Sequence, residues 1–234
     1  EVSCRFIRVL QKQGITKKVM RVKFKSCNDK KLKKSMEETK LRLLREGINF
    51  RATHYKFCGH SNSGLNDSTC YFMPVKSKGE AGLQEVFELW NKLGDFKEIL
   101  KTQNREKVIS RIGMAFARSI PIDISRFKCG IMNDIPSKEK GKVFTDGIGK
   151  MREKVANHFA EELGLNYVPS AFQFRFKGMK GILVISNEIQ RGVDIIFTKS
   201  QEKFKSTISD FEILNWSKGS QGKLSNMVLM PLLQ

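Results

Sequence analysis

The sequence predicts an α+β fold, with strands and helices mixed along one chain. Three observations predict it. Runs that alternate apolar and polar residues, such as Ala171–Phe176, carry the period of two of a strand. Runs with apolar residues three and four apart, such as residues 81–93, carry the helical period. Glycine-bearing turns punctuate the two kinds of run. A length of 234 residues suits one large domain or two small ones, and 40% hydrophobic content is enough to build a core.

Taken in order, residues 1–25 alternate apolar and basic residues (Phe6, Val9, Val19, Val22, Phe24) and read as two strands around a Gln13-Gly14 turn. Asn28-Asp29 then starts a basic amphipathic helix. Its apolar face is Leu32, Met36, Leu43, Leu44 and Ile48, and Gly47 lies near its end. Residues 50–59 and 69–75 read as strands separated by the polar loop 60–68. Helices follow at 81–93, with Leu83, Val86, Phe87 and Trp90 inward, and at 105–118, with Val108, Ile109, Ile112 and Phe116 inward. Arg111 and Arg118 on the second helix read as solvated.

Residues 134–143 form a polar connector. Asp146-Gly147-x-Gly149 is a turn whose glycines supply positive φ, and Asp146 either caps the next helix or bonds the turn backbone. That helix runs from about residue 149 to 163, with Met151, Val155, Phe159 and Leu163 inward and Gly164 as its stop. His158 on it reads as packing or surface. The strand 171–176 ends in a Gly-x-Lys-Gly turn at 178–181. Further strands follow at 181–186 and 193–198, and an apolar segment at 211–216. The end, residues 224–233, is apolar and reads as buried.

Net charge is +19 and the pI is near 9.8. Such an excess points to a polyanion, nucleic acid ahead of membrane, with a domain that is merely basic as the plain alternative. No apolar run approaches the roughly 20 residues of a spanning helix, and no secretory signal is present, so no membrane partner is expected. The five cysteines are odd in number and form no Cys-x-x-Cys, which reads as a reduced, intracellular protein. Cys58, His60 and Cys70 fit no standard zinc spacing, so no metal ligand is assigned. The chain starts at Glu1, inside strand-like sequence, and reads as a fragment.

The chemistry concentrates in the last third. Gly178 and Gly181 free the backbone around Lys180, so that its ammonium can be held against a phosphate. On the strand 171–176, Phe172, Phe174 and Phe176 share one face, and Gln173 and Arg175 share the other. Two readings fit that second face: a nucleotide-contact surface with Lys150, Lys177, Lys180 and Lys203 around it, or a hairpin with a solvated basic side. No Asp-x-Asp occurs in the chain, so the paired carboxylates that two-metal nucleotidyl transfer requires are not evident.

Several segments, in order, resemble the cellular RNA-dependent RNA polymerases of RNA silencing. They are Phe57-Cys58-Gly59-His60-Ser61-Asn62-Ser63-Gly64-Leu65 with Cys70-Tyr71-Phe72, Ser110-Arg111-Ile112-Gly113-Met114-Ala115-Phe116-Ala117, and Thr145-Asp146-Gly147-Ile148-Gly149-Lys150. The core, Ala171-Phe172-Gln173-Phe174-Arg175 with Gly178-Met179-Lys180-Gly181, is followed by Ser200-Gln201-Glu202-Lys203-Phe204. The last lacks the family's Arg-Pro, which Thr198-Lys199 replaces. Asn215-Trp216-Ser217 and Leu224-Ser225-Asn226 resemble the family's end imperfectly.

The resemblance implies a double-psi β-barrel polymerase core in the C-terminal third. The resemblance covers roughly residues 50 to 234, and the chain reads as a basic β-rich lead-in with one helix (1–80), a helical segment (81–135) and the first barrel region (136–234). The resemblance implies that Lys180 is catalytic, stabilising charge on phosphates. Lys203, Arg175, Lys150, Gln173 and Lys177 would contact nucleotide or RNA, with Asp146, Gly147, Gly149, Gly178 and Gly181 as turn residues. The substrates would be NTPs, an RNA template and its product, with helicase and Argonaute silencing factors as candidate partners, in the cytoplasm or at the nucleus. Mg²⁺ would be held by an Asp-x-Asp-Gly-Asp loop of a second barrel, which this chain does not contain, so the chain alone would be inactive. The alternative is a non-catalytic RNA-binding or regulatory module derived from such an enzyme.

Overall fold

A computed structural model describes residues 4–12, 14, 19–25, 30–77, 79–138 and 141–219. The expected helix start at Asn28-Asp29 and the apolar end at 224–233 lie outside the described residues. The first half is a small sheet between helices. Its elements are α1 (Arg5–Lys12), β1 (Met20–Lys23), α2 (Lys30–Glu46), β2 (Ile48–Phe50), β3 (Thr53–Gly59), the short α3 (Asn62–Asn66) and β4 (Thr69–Val75). The antiparallel order is β1-β4-β3-β2. Tyr71, Met73 and Val75 of β4 face the helical core, while Cys70 and Phe72 face the side of α2 with Leu44. Both faces of β4 are therefore apolar, as a central strand between two layers requires.

The helical layer is α4 (Gly79–Leu93), α5 (Phe96–Thr102) and α6 (Arg105–Gly113), which tightens into a 3-10 turn at Met114–Phe116. Val86, Leu89, Leu93, Phe96, Ile99, Val108, Ile112 and Phe116 close over Phe6 and Leu10 of α1. The expected inward residues Leu83 and Ile109 are instead 50% and 53% exposed. The buried stripe of α4 runs one position round, through Gly82, because a side chain there would strike the Ser77 carbonyl and Val75.

The second half is a seven-stranded mixed sheet: β5 (Ile120–Ile122), β6 (Cys129–Met132), β7 (Ile148–Met151), β8 (Ala171–Phe176), β9 (Met179–Ile185), β10 (Ile195–Thr198) and β11 (Phe211–Trp216). Its order is β5-β11-β8-β9-β7-β10-β6, parallel at β7/β9 and β10/β6 and antiparallel elsewhere. α7 (Glu153–Glu162) crosses from β7 and packs Val155, Ala156 and Phe159 on Phe172, Phe174, Leu183 and Phe211. The rings of Phe174 and Phe211 stack at 5.5 Å.

The structure corrects four expectations. The first stretch is helix, not strand, because Phe6 and Leu10, four apart, enter one core while Arg5 and Arg8 of the same turn grip Glu212. The helix expected from residue 149 begins at Glu153, since Gly149 sits in a strand with no room for a Cβ beside the Ile196 carbonyl. α5 and β2 were not foreseen. The loop 60–68 contains a helical turn capped by the Ser61 hydroxyl, which accepts from Gly64 N at 2.9 Å.

Candidate functional site

β8 and β9 meet in a two-residue turn at Lys177-Gly178, both with positive φ (45° and 79°). That is the geometry whose twist suits a tight hairpin. The turn thus lies one residue earlier than expected. Met179, Lys180 and Gly181 belong to β9, and Lys180 stands directly across from Arg175 of β8. Lys180 is held by strand pairing rather than in a glycine loop. The glycines serve close approach: a Cβ on Gly178 would collide with the Phe204 carbonyl, and one on Gly181 with the Gly147 carbonyl and the Gln201 amide.

A polar hub pins the segment carrying Lys203 onto this hairpin. Asp134 accepts from Thr145 Oγ1 (2.8 Å), from Ser200 N (2.7 Å) and from Ser200 Oγ (2.6 Å). Partial desolvation raises its pKa, but the bonds from Ser200 and Thr145 outweigh that and hold the carboxylate below its ordinary range. Gln201 is fully buried; its amide donates to Gly147 O and Ile182 O, both at 3.1 Å, and its oxygen accepts from Thr198 N at 3.0 Å. Lys203 N then donates to Gly178 O at 3.2 Å. Asp146 caps no helix, because β7 follows it and α7 begins only after Arg152.

Lys180 and Arg175 face each other across the hairpin, Lys203 is pinned to its turn, and the charge of Arg111 acts on all three. Arg175 is buried; its Nη1 donates to Phe174 O at 3.0 Å and its Nε has no hydrogen-bond partner. Burial, then the Arg5 charge, push its pKa down to about 10 against the pull of Glu212, which leaves it charged at neutral pH. Burial likewise lowers Lys180, with Arg175, Arg111 and Lys203 adding to it. Lys203 is lowered by burial and Arg111, opposed by Asp146 and Asp134, and its ammonium donates to Ser200 O. Among the described residues no carboxylate forms an ion pair with any of the four. Glu212, directly across from Arg175 in the strand register, and Asp134 and Asp146 toward Lys203 offset part of this charge, and the positive excess that remains invites an anion.

Gln173 is exposed on the Arg175 side of β8. Lys150 instead pairs with Glu188 at 3.1 Å. Lys177 lies over the Phe176 ring and lines a separate surface cavity with Cys129 and Asp210. Sequence reasoning missed Asp134, Ser200 and Gln201, and took Arg111 as solvated. Ser200, Gln201 and Arg111 lay within motif segments; nothing marked Asp134.

The cluster is cationic, and no group of three or more His, Cys, Asp or Glu among the described residues could hold a metal ion, so these residues do not fit one. Cys58 Sγ donates to Tyr71 O at 3.2 Å, a packing role.

A cation cluster with few carboxylates on a pinned hairpin is an arrangement that attracts an anion. The chain belongs to the RNA dependent RNA polymerase family, whose family model matches residues 1–234. It is 31% identical over 235 aligned residues to RNA-dependent RNA polymerase 1 of Schizosaccharomyces pombe, covering 98% of this chain and 18% of that protein. It is 27% identical over 191 residues to RNA-dependent RNA polymerase 6 of Arabidopsis thaliana, covering 80% of this chain and 15% of that protein. The fold is similar to RNA dependent RNA polymerase QDE-1 from Thielavia terrestris, with TM-score 0.69 and 19% identity, over 98% of this chain and 27% of that one. The chain thus spans under a fifth of the length of these two relatives. No helix among the described residues is long and apolar enough to cross a membrane.

Proposed function

We propose that this chain is the phosphate-contacting part of an RNA-directed RNA polymerase, a nucleotidyltransferase that joins NTPs on an RNA template to make double-stranded or small antisense RNA for silencing. The observation that carries the reading is the pairing of Lys180 with Arg175 across the hairpin, with Lys203 pinned beside them and, among the described residues, no carboxylate in an ion pair with any of the three. The mixed sheet supports assignment of the region to a double-psi β-barrel. Phosphoryl chemistry is mostly positioning and charge stabilisation. Lys180 carries the catalytic charge at the phosphates, on a rigid strand. Lys203 and the Arg175 guanidinium behind it set the field, and Gln173 offers a hydrogen bond along the same face.

Lys150 and Lys177 contact RNA further out on this surface. Mg²⁺ supplies a Lewis acid to this reaction when bound, from ligands outside this chain. Helicase and Argonaute silencing factors are the partners such an enzyme would take, inside the cell at the cytoplasm or nucleus.

The test is binding and turnover. Residues 1–234 should bind single-stranded RNA with affinity that falls steeply with salt, and should join no NTPs. Lys180→Gln should weaken RNA or nucleotide binding several-fold, and Lys107→Gln, exposed on α6, should not. Polymerisation by residues 1–234 alone, or equal effects of the two substitutions, would refute the reading. Intact binding together with an inactive full-length enzyme would move the assignment to a regulatory RNA-binding module.

A further inference from the structure

The seven-stranded sheet ends in two edge strands, β5 and β6, which residues 123–128 join directly. The sheet curls so that both edges face one surface cavity of about 660 Å³. Pro121 and Ile122 of β5 and Cys129 of β6 line it, with Phe127, Phe176 and Phe211 as apolar walls.

The two edges are not alike. A free edge offers unpaired main-chain groups to any extended chain, and proteins blunt such edges with proline, charge or a cover. β5 has three residues, one of them Pro121, and Arg8 of α1 donates to the Ser119 carbonyl just before it. β6, Cys-Gly-Ile-Met, has no proline and no charge, and among the described residues it pairs with β10 alone. Asp194 N and Ile195 N both donate to Lys128 O. Main-chain groups alternate sides along a strand, so Lys128, Gly130 and Met132 point toward β10. The N–H and C=O of Cys129 and Ile131 then point to the open side, and among the described residues these four groups have no hydrogen-bond partner.

The surface beside this edge is apolar. Ile131 stands next to the buried Phe197 in the register, so it lies on the core face, yet it is 55% exposed. Beyond the strand, Ile135 and Phe144, joined by a 2.8 Å main-chain bond, are exposed as well. The free charge nearby is positive. Arg126 lies 5.0 Å over the Phe127 ring, Lys128 is exposed just before β6, and among the described residues neither forms an ion pair. The two carboxylates at the cavity are engaged: Asp210 with Lys12 at 3.0 Å, Asp123 with the amide and hydroxyl of Ser125.

We infer that the open edge of β6 is a docking site for an extended acidic segment of a partner protein, which adds to the sheet as a further strand. Alternate aliphatic side chains of that segment would enter the cavity beside Ile131 and Phe176, and its carboxylates would meet Arg126 and Lys128. The inference does not rest on the phosphate-contact reading.

The experiment measures, by fluorescence anisotropy, binding of a labelled peptide alternating valine and aspartate to residues 1–234. A scrambled peptide of the same composition, and one alternating valine and lysine, should each bind about tenfold more weakly. Two isomers of the acidic peptide carry N-methyl groups on one or the other set of alternate amides. In an added strand only one set faces β6. One isomer should therefore lose about tenfold, the scale of its main-chain bonds, and the other should stay within about twofold. Ile131→Pro removes an outward N–H without touching a bond to β10 and should weaken the peptide about fivefold. The N-methyl pair leaves the protein unaltered, so it decides even where that variant folds poorly. In the full-length polymerase, the peptide should slow alkylation of Cys129, which is exposed at the start of β6.

Equal binding of the scrambled peptide, or equal behaviour of the two N-methyl isomers, overturns the inference. So does a Cys129 that resists alkylation in the full-length polymerase without peptide, since the enzyme's own chain would then cover the edge. A dimer of residues 1–234 that excludes the peptide would also overturn it and give the edge to a second copy.

Discussion

At the scale of single residues, Lys180 and Lys203 are unusual because their ammonium groups are disfavoured. Burial and neighbouring cations hold both below the ordinary lysine value of 10.5. The consequences for binding and for stability have opposite signs. A bound phosphate needs the charged form, so RNA affinity should fall as pH rises from neutrality through the lowered values, earlier than for an ordinary lysine. Stability runs the other way. Between the folded and unfolded pKa values the unfolded chain binds more protons, so the lysines' contribution to the stability of the free protein rises with pH through that window. The buried thiols of Cys58 and Cys70, raised by desolvation, lose stability over the same range. The lysine contribution is therefore read as the urea midpoint of the wild type minus that of Lys180→Gln, and between pH 7 and 10 this difference should rise while calorimetric affinity falls. Affinity that stays flat over this range would mean the lysines are fully solvated.

At the scale of elements, the hairpin shows what pattern can and cannot reveal. The strand at 171–176 was legible because Phe172, Phe174 and Phe176 alternate with Gln173 and Arg175. The turn was misplaced by one residue because Lys177, a residue that pays for positive φ, takes a position where glycine is usual. α1 was mistaken for a strand because its aromatic and β-branched residues suit either state, and only the distant core settles Phe6 and Leu10 on one stripe. Arg111 was unreadable for a like reason: nothing local says that the charge on a helix end will act on a β-hairpin. Gly178 and Gly147 separate two kinds of glycine requirement. Both have positive φ, but only Gly178 has a backbone carbonyl where its Cβ would go. Gly147→Ala should cost about 1–2 kcal/mol, the strain of the left-handed conformation. Gly178→Ala should cost clearly more and should also weaken RNA binding, because the Lys203 N to Gly178 O bond is displaced with it. Equal urea midpoints for the two variants would show that the Phe204 segment yields freely.

At the scale of the whole molecule, the helical layer and the seven-stranded sheet are tied together by a buried carboxylate, with the exposed Lys12–Asp210 pair beside it. Glu212 of β11 is almost wholly buried and accepts from Arg5 Nε at 2.9 Å and Arg8 Nη2 at 2.6 Å, both from α1. Arg8 also donates to Ser119 O and Oγ, and Arg5 to Asp210 O, so the contact runs from the first helix to the start of β11 and to the residue before β5. Phe204 adds an apolar tie, packing on Phe96 at 5.1 Å. The ion cluster matters more for position than for net stability, since a buried pair gains little over apolar packing yet is costly to break. Glu212→Gln keeps the shape and removes the charge, which leaves two arginines facing each other and Arg175 across the strand pair. The expected cost is about 3–5 kcal/mol, the range for removing one partner of a buried pair, read as a lower urea midpoint. A midpoint shift below about 1 kcal/mol, the scale of a solvated surface pair, would mean that the two layers hold their relation without this tie.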